Sequence, residues 1–226
     1  MKLKKLLIFL LILILIFPCT KTFAIESTPV ENGDYIIFID VNELSLSLVD
    51  KNSKKFIKRY PIAIGKKSTP SPIGQWRITS KALKNGPFGG YWLGLNAPWD
   101  TFGIHGTSNP SSIGSLASNG CIRMFNHDIK EVFYAVNYDT QVIVYSGASW
   151  LFSPYAREIK LNDKGTDVFY VQRRLKDLGY YNGVVDGIYG YPLELSVIRY
   201  KKENNLKGDS TIDETFLNSI GLTKFE

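Results

Sequence analysis

Cysteine is scarce in this sequence, with Cys19 and Cys121 as the two cysteines among 226 residues. Cys19 lies in an N-terminal segment that we predict to be removed on export, which leaves Cys121 alone. Exported proteins usually use cysteine for disulfides, but a single cysteine cannot form one internally. Cys121 is therefore either a buried apolar side chain or a reactive thiol, and its sequence neighbours must decide between the two.

The one long apolar run lies at the N-terminus and is short for a membrane span. A positively charged start (Lys2, Lys4 and Lys5) precedes an unbroken apolar run of 12 residues, Leu6 to Phe17, and Thr22-Phe23-Ala24 follows. This layout predicts a secretory signal peptide over residues 1–24. The alternative is an uncleaved segment that anchors the protein to the membrane.

Excess positive charge is lacking once that segment is set aside. The full chain has a net charge of +6, but four lysines and no acidic residue fall within residues 1–24. The remaining 23 basic and 21 acidic residues give a net charge of +2. No basic patch is left, so we predict no nucleic-acid partner. The apolar share of 44% is ordinary for a globular protein and argues against wholesale disorder.

Strand-like segments dominate the chain between residues 34 and 146. Compact or alternating apolar runs, separated by Gly and Pro, predict strands at 35–39, 44–48, 56–64, 75–79 and 140–145. One helix is predicted from Asn126, as its N-cap, to about Val136. This pattern indicates a mostly β domain, an antiparallel sandwich or barrel with one helix, rather than a doubly wound sheet.

The composition changes after Tyr155. Val168, Val171 and Leu175 recur at helical spacing, and Gly179 ends that helix. Two more helices are predicted, over 193–204 and 213–220. We therefore expect a linker at 25–33, the β domain at 34–146, a connector at 147–157 and a small three-helix domain at 158–224.

The candidate reactive side chains lie in residues 102–124, FGIHGTSNPSSIGSLASNGCIRM. In this stretch Cys121 follows His105 by sixteen residues. A free thiol with a pKa of about 8.5 is mostly protonated at neutral pH, so a nucleophilic cysteine needs a base or a positive field. A histidine can supply it as an ion-pair partner or as a general base. Spacing alone leaves a satisfied histidine and an inert buried thiol as an equal alternative.

Glycines and an arginine surround this pair. Gly106 and Gly120 allow close approach of the backbone, and N–H groups around Gly120 and Cys121 could form an oxyanion hole. Arg123, two residues after Cys121, would share its strand face and could pair with a substrate carboxylate.

Other side chains near the pair have two interpretations each. His127 could join His105 and Cys121 in a zinc site, but no acidic ligand pattern supports this. An exposed histidine at the helix start is favoured, and we predict no metal and no cofactor. The aromatic residues before the site either belong to the core or line a lid: Tyr91, Trp92 and Trp99.

The whole stretch closely resembles the signature of L,D-transpeptidases with a YkuD-type catalytic domain: His-Gly, a spacer, then Ser/Thr-x-Gly-Cys, an apolar residue, and Arg or Asn. The likeness extends upstream through residues 69–74 and 86–90 and covers about residues 34–146. One departure is Asn119, where many family members carry a second histidine. The resemblance implies that Cys121 is the nucleophile and His105 its base and acid. It assigns oxyanion or substrate-positioning roles to the remaining signature residues, Gly106, Ser118, Gly120 and Arg123.

The resemblance also implies the substrate class, which is the stem peptides of peptidoglycan. Cys121 would attack the carbonyl between a diamino acid with an L centre and a terminal D-alanine. Transfer of the thioester to an amine gives a 3→3 cross-link, whereas transfer to water gives carboxypeptidase activity. A catalytically idle wall-binding protein is the third alternative.

Residues 158–222 resemble the type-1 peptidoglycan-binding domain. The likeness rests on Val171-Gln172, Leu178-Gly179-Tyr180 and Val185 to Gly190, whereas Leu193 and Lys201 depart from the family pattern. It implies a wall-binding module that keeps the enzyme near an immobile substrate. The alternative is a three-helix appendage with a purely structural role. The expected protein is secreted and associated with the cell wall, and its expected partner is peptidoglycan. Membrane contact is expected only through an uncleaved N-terminal segment.

Overall fold

The computed structural model describes residues 30–147 and 157–222. The predicted signal peptide and most of the predicted connector lie outside the described residues. Within the two described ranges, no helix combines the length and apolar character needed to cross a membrane.

Nine strands build the first domain. They are β1 Tyr35–Asp40, β2 Ser45–Asp50, β3 Phe56–Gly65, β4 Gly74–Lys84, β5 Gly90–Leu95, β6 Phe102–His105, β7 Leu116–Ser118, β8 Ile122–Met124 and β9 Gln141–Tyr145. Hydrogen bonds connect them in the order β2-β1-β9-β4-β5-β6-β8-β3-β7, and β3 also pairs with β2. Eight strands thus close into a barrel, with β7 attached to β3. Closure pairs the backbone groups that an open sheet edge would expose.

The strand pairing is mixed, which corrects the expectation of an antiparallel sheet. The pairs β1–β9, β3–β7 and β6–β8 are parallel. A parallel pair needs a long connection because the chain must return to the same end of the sheet before it pairs again. Between β6 and β8 that connection is residues 106–121, and it brings Cys121 back to the strand that carries His105.

The single helix of this domain, α1 Asn126–Ala135, covers the barrel. Ile129, Val132 and Ala135 are fully buried on its inner side. The predicted cap at Asn126 is wrong, because Phe125 occupies the N-cap position and makes no side-chain cap. The Asn126 side chain instead accepts a hydrogen bond from the Thr107 amide at 2.8 Å, so it fastens the chain just after His105.

Three helices form the second domain, which we call the module: α2 Thr166–Asp177, α3 Tyr191–Glu203 and α4 Glu214–Ser219. They enclose a separate core that includes Val168, Leu175 and Phe216. Asp213 caps α4 by accepting from the Phe216 amide at 2.8 Å. The predicted fold class, a mostly β domain with one helix followed by a small three-helix domain, is confirmed.

Gln172 on α2 organises the loop before α3 and is fully buried. Its amide oxygen accepts from the backbone N–H groups of Asp186 and Gly187, at 3.0 and 2.7 Å. Its amide nitrogen donates to the Asp186 carboxylate at 2.8 Å and to the Ile188 carbonyl at 3.0 Å. The amide oxygen and the amide nitrogen of Gln172 are therefore both fully paired inside the module.

Candidate active site

The pairing of β6 with β8 places the key side chains on one face. Ile104 lies opposite Ile122, and His105 lies opposite Arg123. Both isoleucines are fully buried in the barrel core. Successive side chains of a strand point to opposite faces, so His105 and Arg123 point away from that core. Cys121, which directly precedes β8, lies on the same face as Arg123.

The turn that carries the thiol is held by Ser118, which is 1% exposed. Its hydroxyl donates to the Cys121 carbonyl at 2.5 Å and accepts from the Gly120 amide at 3.1 Å. Gly120 has a φ of 114°, and a Cβ added there would lie 2.7 Å from the Phe102 ring. Glycine is therefore required at this position by both its backbone conformation and the space available.

The imidazole of His105 is fixed in one tautomer. Its Nδ1 lies 2.5 Å from the Gly106 carbonyl oxygen. A carbonyl can only accept, so Nδ1 carries the hydrogen and Nε2 is the basic nitrogen of the neutral ring. The ring stacks on Trp92 with centroids 5.7 Å apart and meets Phe88 edge-on at 5.1 Å. Gly106 cannot be larger, because a Cβ there would lie 2.4 Å from the Asn126 side-chain oxygen.

Burial lowers the pKa of His105 below its ordinary value of 6.5, since the charged form loses hydration. The hydrogen bond to Gly106 opposes this shift, and the positive charges of Arg123 and Lys84 reinforce it. The imidazole is therefore neutral at neutral pH.

Burial also raises the pKa of the Cys121 thiol. A backbone hydrogen bond from Gly103 and the charge of Arg123 lower it, whereas Asp100 raises it. The thiol points toward the Thr101 carbonyl, with Sγ 3.8 Å from the oxygen, and makes no direct hydrogen bond to the His105 ring. The geometry and the direction of the shift agree on a neutral thiol beside a neutral imidazole.

Two cations border the pair. Arg123 is half-buried and forms no ion pair with any described residue. Lys84, which the sequence analysis missed, lies 4.3 Å from the Trp92 ring centroid and 5.2 Å from that of Phe88. Its position two residues before Gly86, where the 86–90 stretch of the family pattern begins, was the available signal.

The structure also places His127, Trp92 and Trp99, which the sequence left with two interpretations each. The His127 side chain is 80% exposed and contacts Asp128 at 3.2 Å. Trp99 is 8% exposed and belongs to the barrel core. Trp92 is 5% exposed and lies opposite His105 on the outer face, where it packs against the imidazole rather than forming a lid. Within residues 30–147 and 157–222, no three His, Cys, Asp or Glu side chains are grouped to hold a metal ion.

Comparison with known families assigns each of the two domains to a family. The YkuD family model, described as "L,D-transpeptidase catalytic domain", matches residues 34–144. The chain contains a YkuD-family L,D-transpeptidase catalytic domain. A second model, "Putative peptidoglycan binding domain", matches residues 164–220. The transpeptidase domain is thus followed by a domain of the peptidoglycan-binding family, as both resemblances predicted.

Curated relatives carry the same family name. "Putative L,D-transpeptidase YkuD" of Bacillus licheniformis is 42% identical over 111 residues, which are 49% of this chain and 65% of that protein. The Bacillus subtilis protein of the same name is 41% identical over 111 residues, with the same two coverages. The chain thus spans just under two thirds of the length of these relatives.

Solved structures give the same family name. The catalytic domain of an Enterococcus faecium L,D-transpeptidase is 26% identical and has a TM-score of 0.43, covering 50% of this chain and 97% of that one. An L,D-transpeptidase from Mycobacterium smegmatis is 15% identical and has a TM-score of 0.42, covering 50% of this chain and 59% of that one.

Proposed function

We propose that this protein is a peptidoglycan L,D-transpeptidase that forms 3→3 cross-links through a thioester on Cys121. The observation that carries the proposal is the shared face of β6 and β8, because the register that sets His105 opposite Arg123 puts Cys121, two residues before Arg123, on that same face. The hydrogen bond from Nδ1 to Gly106 supports it, because it leaves Nε2 as the proton acceptor.

In the first step, the Cys121 sulfur attacks the carbonyl of the diamino acid whose amide links it to D-alanine. Nε2 of His105 takes the thiol proton as the S–C bond forms, because a neutral imidazole and a neutral thiol cannot rely on a preformed ion pair. Collapse of the tetrahedral intermediate breaks the C–N bond. The proton on His105 goes to the departing D-alanine amine, which leaves a thioester.

In the second step, an amine of a neighbouring stem attacks the thioester. His105 removes the proton from this amine and returns it to the sulfur as the S–C bond breaks. The product is a new amide between two diamino acids and a regenerated thiol. Water in place of the amine would give the carboxypeptidase outcome.

The developing oxyanion needs a donor. The Gly120 amide already donates to Ser118 within the turn. We therefore assign the oxyanion role to the Cys121 amide and a structural role to Gly120 and Ser118. Arg123 is assigned to a substrate carboxylate, because its charge is half-buried and unpaired among the described residues.

Export follows from the substrate. Peptidoglycan lies outside the cytoplasmic membrane, and the predicted signal peptide would deliver the enzyme there. The module would hold it on the wall.

Mass spectrometry of muropeptides tests the reaction. Disaccharide-tetrapeptides incubated with the purified protein should lose D-alanine and appear as 3→3 dimers, and Cys121→Ala should yield neither product. Loss of D-alanine without dimers would assign water as the acceptor. Persistence of either product in Cys121→Ala would contradict the thioester mechanism.

A further inference from the structure

The module is seated against the barrel by an aromatic cluster. The Phe169 ring on α2 lies 5.6 Å from Trp76 and 5.8 Å from Trp99, measured between ring centroids. Gly187 also abuts Trp99, since a Cβ added to Gly187 would lie 2.5 Å from that ring. A glycine at this point lets the loop organised by Gln172 approach the barrel closely.

An ion pair lies at the rim of the same contact. The Lys164 ammonium of the module lies 2.7 Å from the Asp100 carboxylate of the barrel. Asp100 directly precedes Thr101, whose carbonyl faces the Cys121 thiol. The contact between the domains therefore reaches the immediate surroundings of the nucleophile.

A cleft of about 400 Å³ opens beside this contact, and both domains line it. One wall is the barrel loop 67–71 together with Asn119, and the other is residues 162–167 of the module. Asn119 lies two residues before Cys121, and Thr69 donates to the neighbouring Ser118 carbonyl at 3.2 Å. The cleft thus runs from the module to the turn that carries the thiol.

The charges of this lining are mostly satisfied. Lys164 is paired with Asp100, and Arg157 is paired with Asp163 at 3.2 Å and with Asp167 at 2.9 Å. Lys67 forms no ion pair with the described part of the chain. The cleft therefore presents one unpaired positive charge.

The rest of the polar lining is uncharged, and includes the hydroxyls of Ser68 and Thr166 and the amide of Asn162. Sugar hydroxyls and acetamido groups suit such a lining, because they both donate and accept hydrogen bonds without charge. A carboxylate on the same ligand would suit Lys67.

We propose that this cleft is a composite site for one disaccharide-peptide unit of peptidoglycan, bound between the barrel loop 67–71 and the module loop 162–167. The proposal rests on the proposed function, since it places the unit next to the thiol that acts on the stem. Wall binding and substrate presentation then occur in one site. The module fixes the position of the reacting strand instead of only raising its local concentration.

Binding to the full-length Cys121→Ala protein tests the site without turnover. A soluble disaccharide-tetrapeptide is titrated by calorimetry against this protein and against versions that also carry Thr166→Trp or Ser68→Trp, one on each wall. Each tryptophan fills part of the cleft and should raise the Kd about tenfold or more. Thr215→Trp, the same substitution at an exposed residue of α4, should leave the Kd unchanged.

Equal affinity in all four proteins would overturn the proposal. Loss in only one of the two cleft variants would overturn its composite character, because a single wall would then suffice. Amide chemical shifts in Cys121→Ala give a readout that needs no cleft variant. Residues 67–71 and 162–167 should both shift on titration, and shifts confined to one wall would contradict the proposal.

Release of D-alanine from a free tetrapeptide by the unsubstituted protein reports on the proposed function separately. Absence of release together with tight binding in the cleft would remove the function and leave the cleft as a wall-binding site. Release of D-alanine without binding in the cleft would support the proposed function and contradict the cleft as a binding site.

Discussion

In the barrel, the signature side chains that carry the proposed chemistry lie on the outer face of two paired strands. In the module, the signature side chain Gln172 is instead buried and forms its hydrogen bonds within the module. Cys121, His105 and Arg123 lie on one face, where His105 is buried and the other two are half-buried. Gln172 is fully buried and saturated by its own loop. The signature of the first domain therefore lies where the proposed chemistry needs it, whereas Gln172 of the second signature holds its own loop together. Because Gln172 has no hydrogen-bonding capacity left for a ligand, we expect the ligand contacts of the module in the cleft.

Removal of the proposed base should have the largest effect on activity. His105→Ala should reduce kcat/KM for D-alanine release by about 10²–10⁴-fold, because the half-buried thiol then lacks a proton acceptor. The chain offers a matched control in His127, which is exposed. His127→Ala should retain full activity, and comparable losses in both variants would contradict the assignment of the base.

Gln172→Ala tests the structural role of Gln172 in the module. This change leaves the amides of Asp186 and Gly187 without their partner and should lower the free energy of unfolding of the module by about 2–4 kcal/mol. The exposed Gln75→Ala should stay within about 0.5 kcal/mol. Chemical denaturation followed by circular dichroism measures both. A stable Gln172→Ala module that loses only glycan binding would show that Gln172 is a ligand contact after all.

The acid limb of the pH profile reports the protonation state of His105. Activity needs a neutral imidazole, so kcat/KM should rise with pH through the pKa of His105, and burial places that limb below the ordinary 6.5. Lys84→Met removes a cation that disfavours the imidazolium, so the limb should move to higher pH. Lys55→Met, at an exposed position in the β2–β3 turn, should leave it in place. A limb above the ordinary value would contradict a buried neutral base.

The weakest link between the two regions is the Asp100–Lys164 pair. Its side chains are 52% and 53% exposed, so solvent screens the attraction and the coupling should be about 0–1 kcal/mol. A double-mutant cycle with Asp100→Asn and Lys164→Met, read by chemical denaturation, measures it. The exposed pair Arg77–Asp139 is the matched control cycle. A coupling above about 2 kcal/mol would mean that this ion pair, rather than the aromatic cluster, holds the module in place.

Local patterns in the sequence predict β1, β2, β3, β9 and all four α-helices to within a few residues, whereas the predicted β4 ends five residues too early. The strands β5 to β8 are harder, because two of them have three residues each and their partners are distant in the chain. Pairing order and parallel direction depend on those distant contacts. For the same reason the sequence predicts neither the contact of Phe169 with Trp76 and Trp99 nor the cleft beside it.

Within the site, the resemblance names Cys121 and His105, and the fold puts them on one face. The orientation of the imidazole could not be predicted, because it depends on the Gly106 carbonyl and on the Trp92 ring. The Asn126 prediction failed because a nearby unpaired amide, that of Thr107, competes for the side chain that would cap the helix.

Acylation of the Cys121 thiol tests directly whether Cys121 is the nucleophile. Intact-mass spectrometry of the full-length protein treated with a carbapenem, which mimics the acyl donor, should show a single covalent adduct. Cys121→Ala should show none. An adduct that survives Cys121→Ala would place the nucleophile elsewhere and contradict the account.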